Sequence, residues 1–406
     1  MSVWLNVIGL GADGRNGLPP AAQTLIDSAE VLVGGERHLA LSGNNAAERL
    51  TWRLPLDEVM ADIAALRGRR VVVLATGDPM AYGIGTTLIR HFGRDEMAIL
   101  PAPGAFSLAA ARLGWPLDET VCLTLHGRPL DLLNFHLLPG ARLLILSHDG
   151  TTPAAVARRL RESGFGPSRL TVLENMGAAD EARHETTADA FDIARTADLN
   201  TLAIDCVAAL GARILPPVPG LPDNAFEHDG KMTKRIVRAA TLAALAPWPR
   251  QTLWDLGAGS GSVAIEWLRA AQNAQGKGAT AIAVERDPAR AATIARNAAT
   301  LGTPFLDIRI ADIEATLPGL PDPDAVFIGG GLSIPDLIDT VWRRLTPGGT
   351  LVANAVTLEG ETVLAGAYAR FGGTLSRIAV SHASPVGNLT GWRPAMAVTQ
   401  WTVTKP

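Results

Sequence analysis

The chain is poor in cysteine. Of 406 residues only Cys122 and Cys206 are cysteines, each inside an apolar strand-like run, which excludes a disulfide framework and a cysteine-based zinc site and leaves two buried, reduced thiols as the expectation. It is equally short of aromatic residues, at 5%, and of surplus positive charge, with 36 Lys and Arg against 40 Asp and Glu. A net charge of −4 gives no global positive field of the kind that non-specific nucleic-acid binding requires. No uncharged apolar run reaches the roughly 20 residues of a membrane span, and Met1–Ile8 has neither a basic n-region nor a small-residue cleavage site. No His/Cys/Asp/Glu grouping has metal-ligand spacing. The expectation is a cytoplasmic protein without membrane, nucleic-acid or metal partners.

What the sequence does have is apolar residues, 47%, against 19% charged. Four hundred residues are too many for one ordinary core and suit two. The run Leu215-Pro216-Pro217-Val218-Pro219-Gly220-Leu221-Pro222-Asp223 can continue neither a helix nor an inner strand. This places one domain at 1–208, a proline-rich linker at 209–222 and a second domain at 223–406.

The second half centres on Leu253-Trp254-Asp255-Leu256-Gly257-Ala258-Gly259-Ser260-Gly261, followed by Ser262-Val263-Ala264-Ile265-Glu266 at helical spacing. A buried strand, a sharp glycine turn and a helix start expose backbone amides to a ligand. The NAD fingerprint wants glycine where Ser262 stands, whereas Asp-x-Gly-x-Gly-x-Gly suits the first loop of an S-adenosylmethionine (SAM) methyltransferase. Glu285 ends the apolar run Ala281–Val284 at the interval of a ribose-binding carboxylate, a feature common to NAD and SAM sites. Asp312 ends the next run and suits the adenine amine, and Ala325–Ile328 leads into Gly329-Gly330-Gly331. A helix is expected over 236–245 with Thr233 as its cap, and Gly391-Trp392-Arg393-Pro394 reads as a loop between two closing antiparallel strands.

The first half alternates short apolar runs, glycine turns and helical segments, the pattern of βα units on one largely parallel sheet. Gly9-Leu10-Gly11-Ala12-Asp13-Gly14 spells G-x-G-x-x-G, yet Arg15–Leu18 intervenes before the Pro19-Pro20 helix start. Pyrophosphate on a helix N-terminus is therefore not expected there. Further glycine-rich strand exits are Thr76-Gly77-Asp78-Pro79-Met80-Ala81-Tyr82-Gly83 and Pro101–Ser107. His126 and His148 each follow a strand, and either a catalytic base or an ordinary hydrogen-bonded histidine fits that position.

Together these motifs give the chain a resemblance. Val7–Gly14, Thr76–Gly83 and Pro103-Gly104 with Ser107 resemble the tetrapyrrole methylase family. Met232-Thr233-Lys234, Asp255–Gly261 and Gly329–Gly331 resemble the class I Rossmann-type corrin methyltransferase/decarboxylase family. The resemblance implies an α/β fold with a tetrapyrrole-methylase domain followed by a class I SAM-methyltransferase domain. It also implies one SAM per domain, methylation of precorrin-6Y at carbons 5 and 15, and loss of CO2 from the ring C acetate, giving precorrin-8X in cobalamin synthesis. Carried over by motif, the second SAM site would use Thr233, Gly257, Ala258, Gly259, Ser260, Gly261, Glu285, Asp312 and Ile313. The first would use Gly9, Leu10, Gly11, Asp78, Met80, Tyr82 and Ser107.

No catalytic acid or base is assigned, because a sulfonium electrophile and an electron-rich ring carbon mainly need alignment. Arg128, Lys234, Arg235 and Arg393 are candidates for clamping substrate carboxylates. A homo-oligomer is expected. Two other readings compete: an RNA or protein methyltransferase with an N-terminal recognition domain, and a non-enzymatic SAM-sensing scaffold. The absence of an Asn-Pro-Pro-Tyr or Asp-Pro-Pro-Tyr loop after Ala325–Ile328 weighs against the first.

Overall fold

A computed structural model describes residues 3–271 and 278–406. The chain divides into two compact units, one of residues 1–128 and 138–213, the other of residues 129–137 and 214–406.

The first unit holds two five-stranded sheets. Strands β1 (Leu5–Leu10), β2 (Val31–Gly34), β3 (Glu48–Thr51), β4 (Val71–Thr76) and β5 (Met97–Leu100) form an all-parallel sheet in the order β3-β2-β4-β1-β5. Its inner strands are largely apolar, Asn6 and Thr76 excepted, because side chains alternate between two buried faces. Leu5, Val7, Val33, Val71 and Val73 fill one core, and Ile8, Leu10, Leu32, Val72 and Leu74 fill the other.

Strands β6 (Val121–Thr124), β7 (Arg142–Leu146), β8 (Arg169–Glu174), β9 (Ala182–Thr187) and β10 (Asn200–Asp205) make the second sheet, in the order β6-β7-β10-β8-β9. Only β6 and β7 pair in parallel; the other pairings are antiparallel. The single, largely parallel sheet expected for this half is thus corrected to two sheets. Pro101 and Pro103, directly after β5, supply no backbone donor, so the chain leaves the first sheet there.

The second unit is built on a seven-stranded sheet from β11 (Thr252–Leu256), β12 (Thr280–Val284), β13 (Asp307–Arg309), β14 (Ala325–Ile328), β15 (Thr350–Ala355), β16 (Thr374–Ile378) and β19 (Val398–Thr404), in the order β13-β12-β11-β14-β15-β19-β16. The first five in that order are parallel, and β19 runs antiparallel to both β15 and β16. Strand order reverses between β11 and β14, so the crevice for a ligand lies beyond their carboxyl ends.

Two sequence expectations change here. The stretch containing Arg393 is not a loop but the second strand of a hairpin, β17 (Ser381–Val386) with β18 (Leu389–Pro394). The two intervening residues are Gly387-Asn388, with Gly387 at φ +60°, a dipeptide suited to a tight hairpin turn. The helix before β11 runs over Arg235–Leu245 with Lys234 at its N-cap and no side-chain cap. The Thr233 carbonyl instead accepts from buried Arg238 Nη1 at 2.6 Å, which fixes the chain one step ahead of the helix.

Candidate functional site

At the switch point of the second unit, three consecutive alternate glycines have left-handed backbone: Gly257 (φ 72°), Gly259 (φ 60°) and Gly261 (φ 74°). The reason differs along the loop. A Cβ on Gly257 would lie 2.8 Å from Gly330 Cα, because the β11 and β14 turns touch, whereas one on Gly259 would meet nothing closer than the Lys231 carbonyl at 3.5 Å. Gly259 is therefore glycine for its backbone and for whatever occupies the space beside it.

Two buried acids hold the loop from below. Glu285 Oε2 accepts from Gly259 N at 2.9 Å and its Oε1 from Asp287 N at 3.0 Å. Asp255 Oδ2 accepts from Ala264 N at 3.1 Å, while Asp255 Oδ1 and the Ser260 hydroxyl are buried without a hydrogen-bond partner. Burial pushes the Asp255 carboxyl up to about 7, with the Ala264 amide opposing and the Glu285 charge adding to the rise.

A cavity of about 1340 Å³ opens beside this loop. It runs from Gly257–Ser260 past Phe327 of β14 and Gly329 just after it, and Asn354 and Val356 at the end of β15, to Val398 of β19 and His382 of the hairpin. Its remaining wall includes Lys231, Thr233, Lys234, Arg235 and Ile236. Lys234 and Arg235 occupy the positive end of their helix, whose first turn has no acidic residue. Cations at that end are unfavourable unless an anion faces them. Asn354 is held from behind: its Nδ2 donates to Thr241 Oγ1 at 2.9 Å and its Oδ1 accepts from Gln400 Nε2 at 3.0 Å.

In the first unit the glycine turns after β1 and β4 and the loop after β5 converge. A Cβ on Gly9 would lie 1.8 Å from the Gly77 carbonyl, and Ala102 N donates to that carbonyl at 3.2 Å. Asp78 Oδ1 accepts from Met80 N at 2.8 Å and shapes the loop. Tyr82, at φ 59°, donates its hydroxyl to the Cys122 carbonyl at 3.1 Å, tying the loop to β6. The Arg128 guanidinium sits 5.4 Å from the Tyr82 ring centre. His126 and His148 meet, with ring centres 5.2 Å apart, and Gly127 N donates to His148 Nδ1 at 3.3 Å. His38, which no motif marks, bonds Thr76 Oγ1 at 2.7 Å at the tip of β4, and burial lowers it to about 4, so its ring is neutral at pH 7.

Comparison with known proteins follows the same division. Residues 5–192 match the family of tetrapyrrole (corrin/porphyrin) methylases and residues 224–405 match a precorrin methyltransferase domain. Over all 406 residues, and 97% of the relative's length, the chain is 49% identical to a precorrin-6Y C(5,15)-methyltransferase (decarboxylating) from Sinorhizobium sp. The chain belongs to the precorrin-6Y C(5,15)-methyltransferase (decarboxylating) family. It is also 35% identical over 181 residues, 44% of this chain and 89% of the relative, to a cobalt-precorrin-7 C(5)-methyltransferase from Salmonella typhimurium. A probable cobalt-precorrin-6B C(15)-methyltransferase (decarboxylating) from Pyrobaculum aerophilum matches at 34% over 145 residues, 35% of this chain and 72% of the relative.

Seen as a member of that family, the chain places its expected site residues unevenly. Thr233, Lys234, Arg235, Gly257, Ala258, Gly259 and Ser260 share the large cavity. Gly261 packs against Ile294, and Glu285 is 6% exposed and reaches the cavity's rim only through Gly259 N. Asp312 is exposed and Ile313 buried, the latter beside Gly331. Arg393 is exposed on β18, directly opposite His382 of β17. In the first unit, Leu10 is fully buried and offers only backbone, Gly11 packs on Asp13, and Met80 and Ser107 are exposed. Among the described residues no His/Cys/Asp/Glu group could hold a metal ion, and no helix is long and apolar enough to cross a membrane. Neither cysteine is in a disulfide; Cys206 is buried and Cys122 half-buried.

Proposed function

We propose that the chain methylates precorrin-6Y at carbons 5 and 15 and removes the ring C acetate carboxyl, with one SAM held by each unit. The second unit carries the C15 methylation and the decarboxylation, and the first carries the C5 methylation. The observation that carries this reading is the glycine loop at the switch point, edged by the buried carboxylates of Asp255 and Glu285 and opening on a cavity of about 1340 Å³. Ordinary small-molecule sites occupy about 300–1,000 Å³, so this one has room for a nucleoside and a second guest.

The residues fit SAM. Asp255 Oδ1 and Ser260 Oγ are buried acceptors without partners, and the space beside Gly259 is open to a ligand. Glu285, at the tip of β12, would take the ribose hydroxyls, with Asp312 and Ile313 toward adenine. When bound, SAM supplies an electrophilic methyl group. The protein's part is to hold the ring carbon in line with it and keep water out, and positioning of this kind can lower a barrier by about 7–11 kcal/mol. Lys234 and Arg235 would clamp substrate carboxylates at the helix end. In the first unit Gly9, Leu10 and Gly11 would offer backbone, with Asp78, Met80, Tyr82 and Ser107 around the cofactor and Arg128 toward the substrate. A homo-oligomer working in the cytoplasm belongs to the same reading.

That the two activities are separable has support in the two partial relatives, one named for C5 alone and one for C15 with decarboxylation, each matching less than half of the chain. It is tested by incubating full-length protein with precorrin-6Y and SAM and weighing the product. Wild type should gain two methyl groups and lose one CO2. Gly259→Asp drives a carboxylate into the second cradle, so it should abolish the second unit's SAM binding and leave a product with one methyl gained and CO2 retained. Two methyl gains with CO2 loss in a folded Gly259→Asp protein would sink the assignment.

A further inference from the structure

The chemistry of decarboxylation leaves one need that the residues discussed so far do not meet. When the bond between the side-chain methylene and the carboxylate breaks, CO2 departs and the electron pair passes toward the conjugated ring. For the acetate to become a methyl group, the former methylene carbon must take up one proton, whichever order the two reactions follow. Without a donor at that carbon, the electron pair is free to recapture CO2.

The cavity of the second unit contains five ionisable residues among those described: Asp223, Lys231, Lys234, Arg235 and His382. Asp223 is engaged, accepting from Arg238 Nη1 at 3.1 Å, and Arg235 Nε donates to the Gly220 carbonyl at 2.8 Å. Among the side-chain types in this set, imidazole alone both carries and releases a proton near neutral pH. Its position separates it from the methyl donor. The cavity follows the strand tips from β11 across β14 and β15 to β19, three strand spacings or roughly 14 Å. His382 stands at the far end, on β17, with Val380, Met396 and Val398 as apolar neighbours in the lining. Arg393 faces it across the hairpin, a cation placed beside a group that handles a carboxylate.

We propose that His382 is the proton donor of the decarboxylation: as the carbon–carbon bond breaks and CO2 leaves, an imidazolium N–H gives its proton to the side-chain carbon. The resulting neutral ring regains a proton from solvent, to which it is exposed. The balance is one proton consumed and one CO2 released per acetate converted to methyl. Lys231 and Lys234, with Arg235, hold the other carboxylates, and the polar trio Thr241, Asn354 and Gln400 keeps the floor between the two ends fixed.

This rests on the reading that the second unit decarboxylates, and the test separates the two. Full-length wild type, His382→Asn and His382→Ala are incubated with precorrin-6Y and SAM, following methyl gain and CO2 loss by mass and SAM binding by calorimetry. SAM affinity should be retained in both variants. CO2 release should slow by roughly 10²-fold relative to methyl transfer in His382→Asn, with a methylated product that keeps its carboxylate accumulating. Imidazole added to His382→Ala should restore the release. A His382→Asn protein with the wild-type ratio of CO2 to methyl would overturn the role of His382 alone. Methylation without CO2 release by wild type would overturn both this and the functional reading.

Discussion

Asp255 shows how much a single side chain in this site owes to its surroundings. It is 1% exposed beneath the glycine loop, and loss of water raises its carboxyl to about 7, against the resistance of the Ala264 amide and with help from the Glu285 charge. An acid whose folded value lies above its unfolded one keeps a proton that the unfolded chain has shed. Its contribution therefore disfavours the native state increasingly as pH rises from about 4 through about 7. Asp255→Asn keeps an acceptor for Ala264 N and removes the titration. Compared with wild type, the variant should become relatively more stable across that window, as read from urea midpoints at several pH values. A difference that does not change with pH would contradict the burial argument. The position itself was readable in advance, because an acid two residues before alternate glycines is a spacing that local sequence displays. His382 was not, since its place in the cavity depends on a hairpin folding back from the distant end of the sheet.

The helices flanking the β11 loop are joined by an ion pair that no spacing announces. Arg238 and Glu266, 0% and 1% exposed, meet at 2.6 Å, and Glu266 also accepts from Gly220 N at 2.5 Å and Leu221 N at 3.1 Å. Removing one member of a buried pair strands the other charge, which costs about 3–5 kcal/mol. Glu266→Ala should lose about that much unfolding free energy in denaturant titration, and Glu266→Gln less, because a carboxamide oxygen still accepts from the loop amides. A loss of under about 1 kcal/mol for Glu266→Ala would mean that the pair is dispensable. The contrast with the strands is instructive. Continuous apolar runs such as Val71–Leu74 and Ala325–Ile328 identify strands buried on both faces from composition alone. Their pairing partners are set by contacts remote in sequence, which is why the antiparallel second sheet of the first half was read as part of a parallel one. The Gly387-Asn388 turn is a local signal, but the strand that follows it exposes Leu389 and Trp392, so no buried face marks that strand in the sequence.

Each half has its own cores, and the second begins earlier than its glycine-loop motifs suggest. Arg269, 2% exposed, donates to the Leu301 carbonyl at 2.5 Å and to the Leu215 and Pro216 carbonyls at 2.8 and 3.2 Å, with the Phe135 ring centre 5.0 Å away. Burial draws its guanidinium down to about 10, so it remains a cation that needs those oxygens. The proline-rich run thus supplies two acceptors for Arg269, two amide donors for Glu266 and, through the Leu221 carbonyl, an acceptor for Arg238 Nη2. A fragment starting at Asp223 discards all of these, whereas one starting at Ile214 keeps them. Each buried polar group left unpaired costs about 1–3 kcal/mol, and charged ones more. The shorter fragment should therefore unfold at a denaturant midpoint lower by several kcal/mol of equivalent stability, while the longer should bind SAM with an affinity close to that of the second site in the full chain. Equal midpoints for the two fragments would show that these nine residues, prolines and all, are a tether and not part of the folded unit.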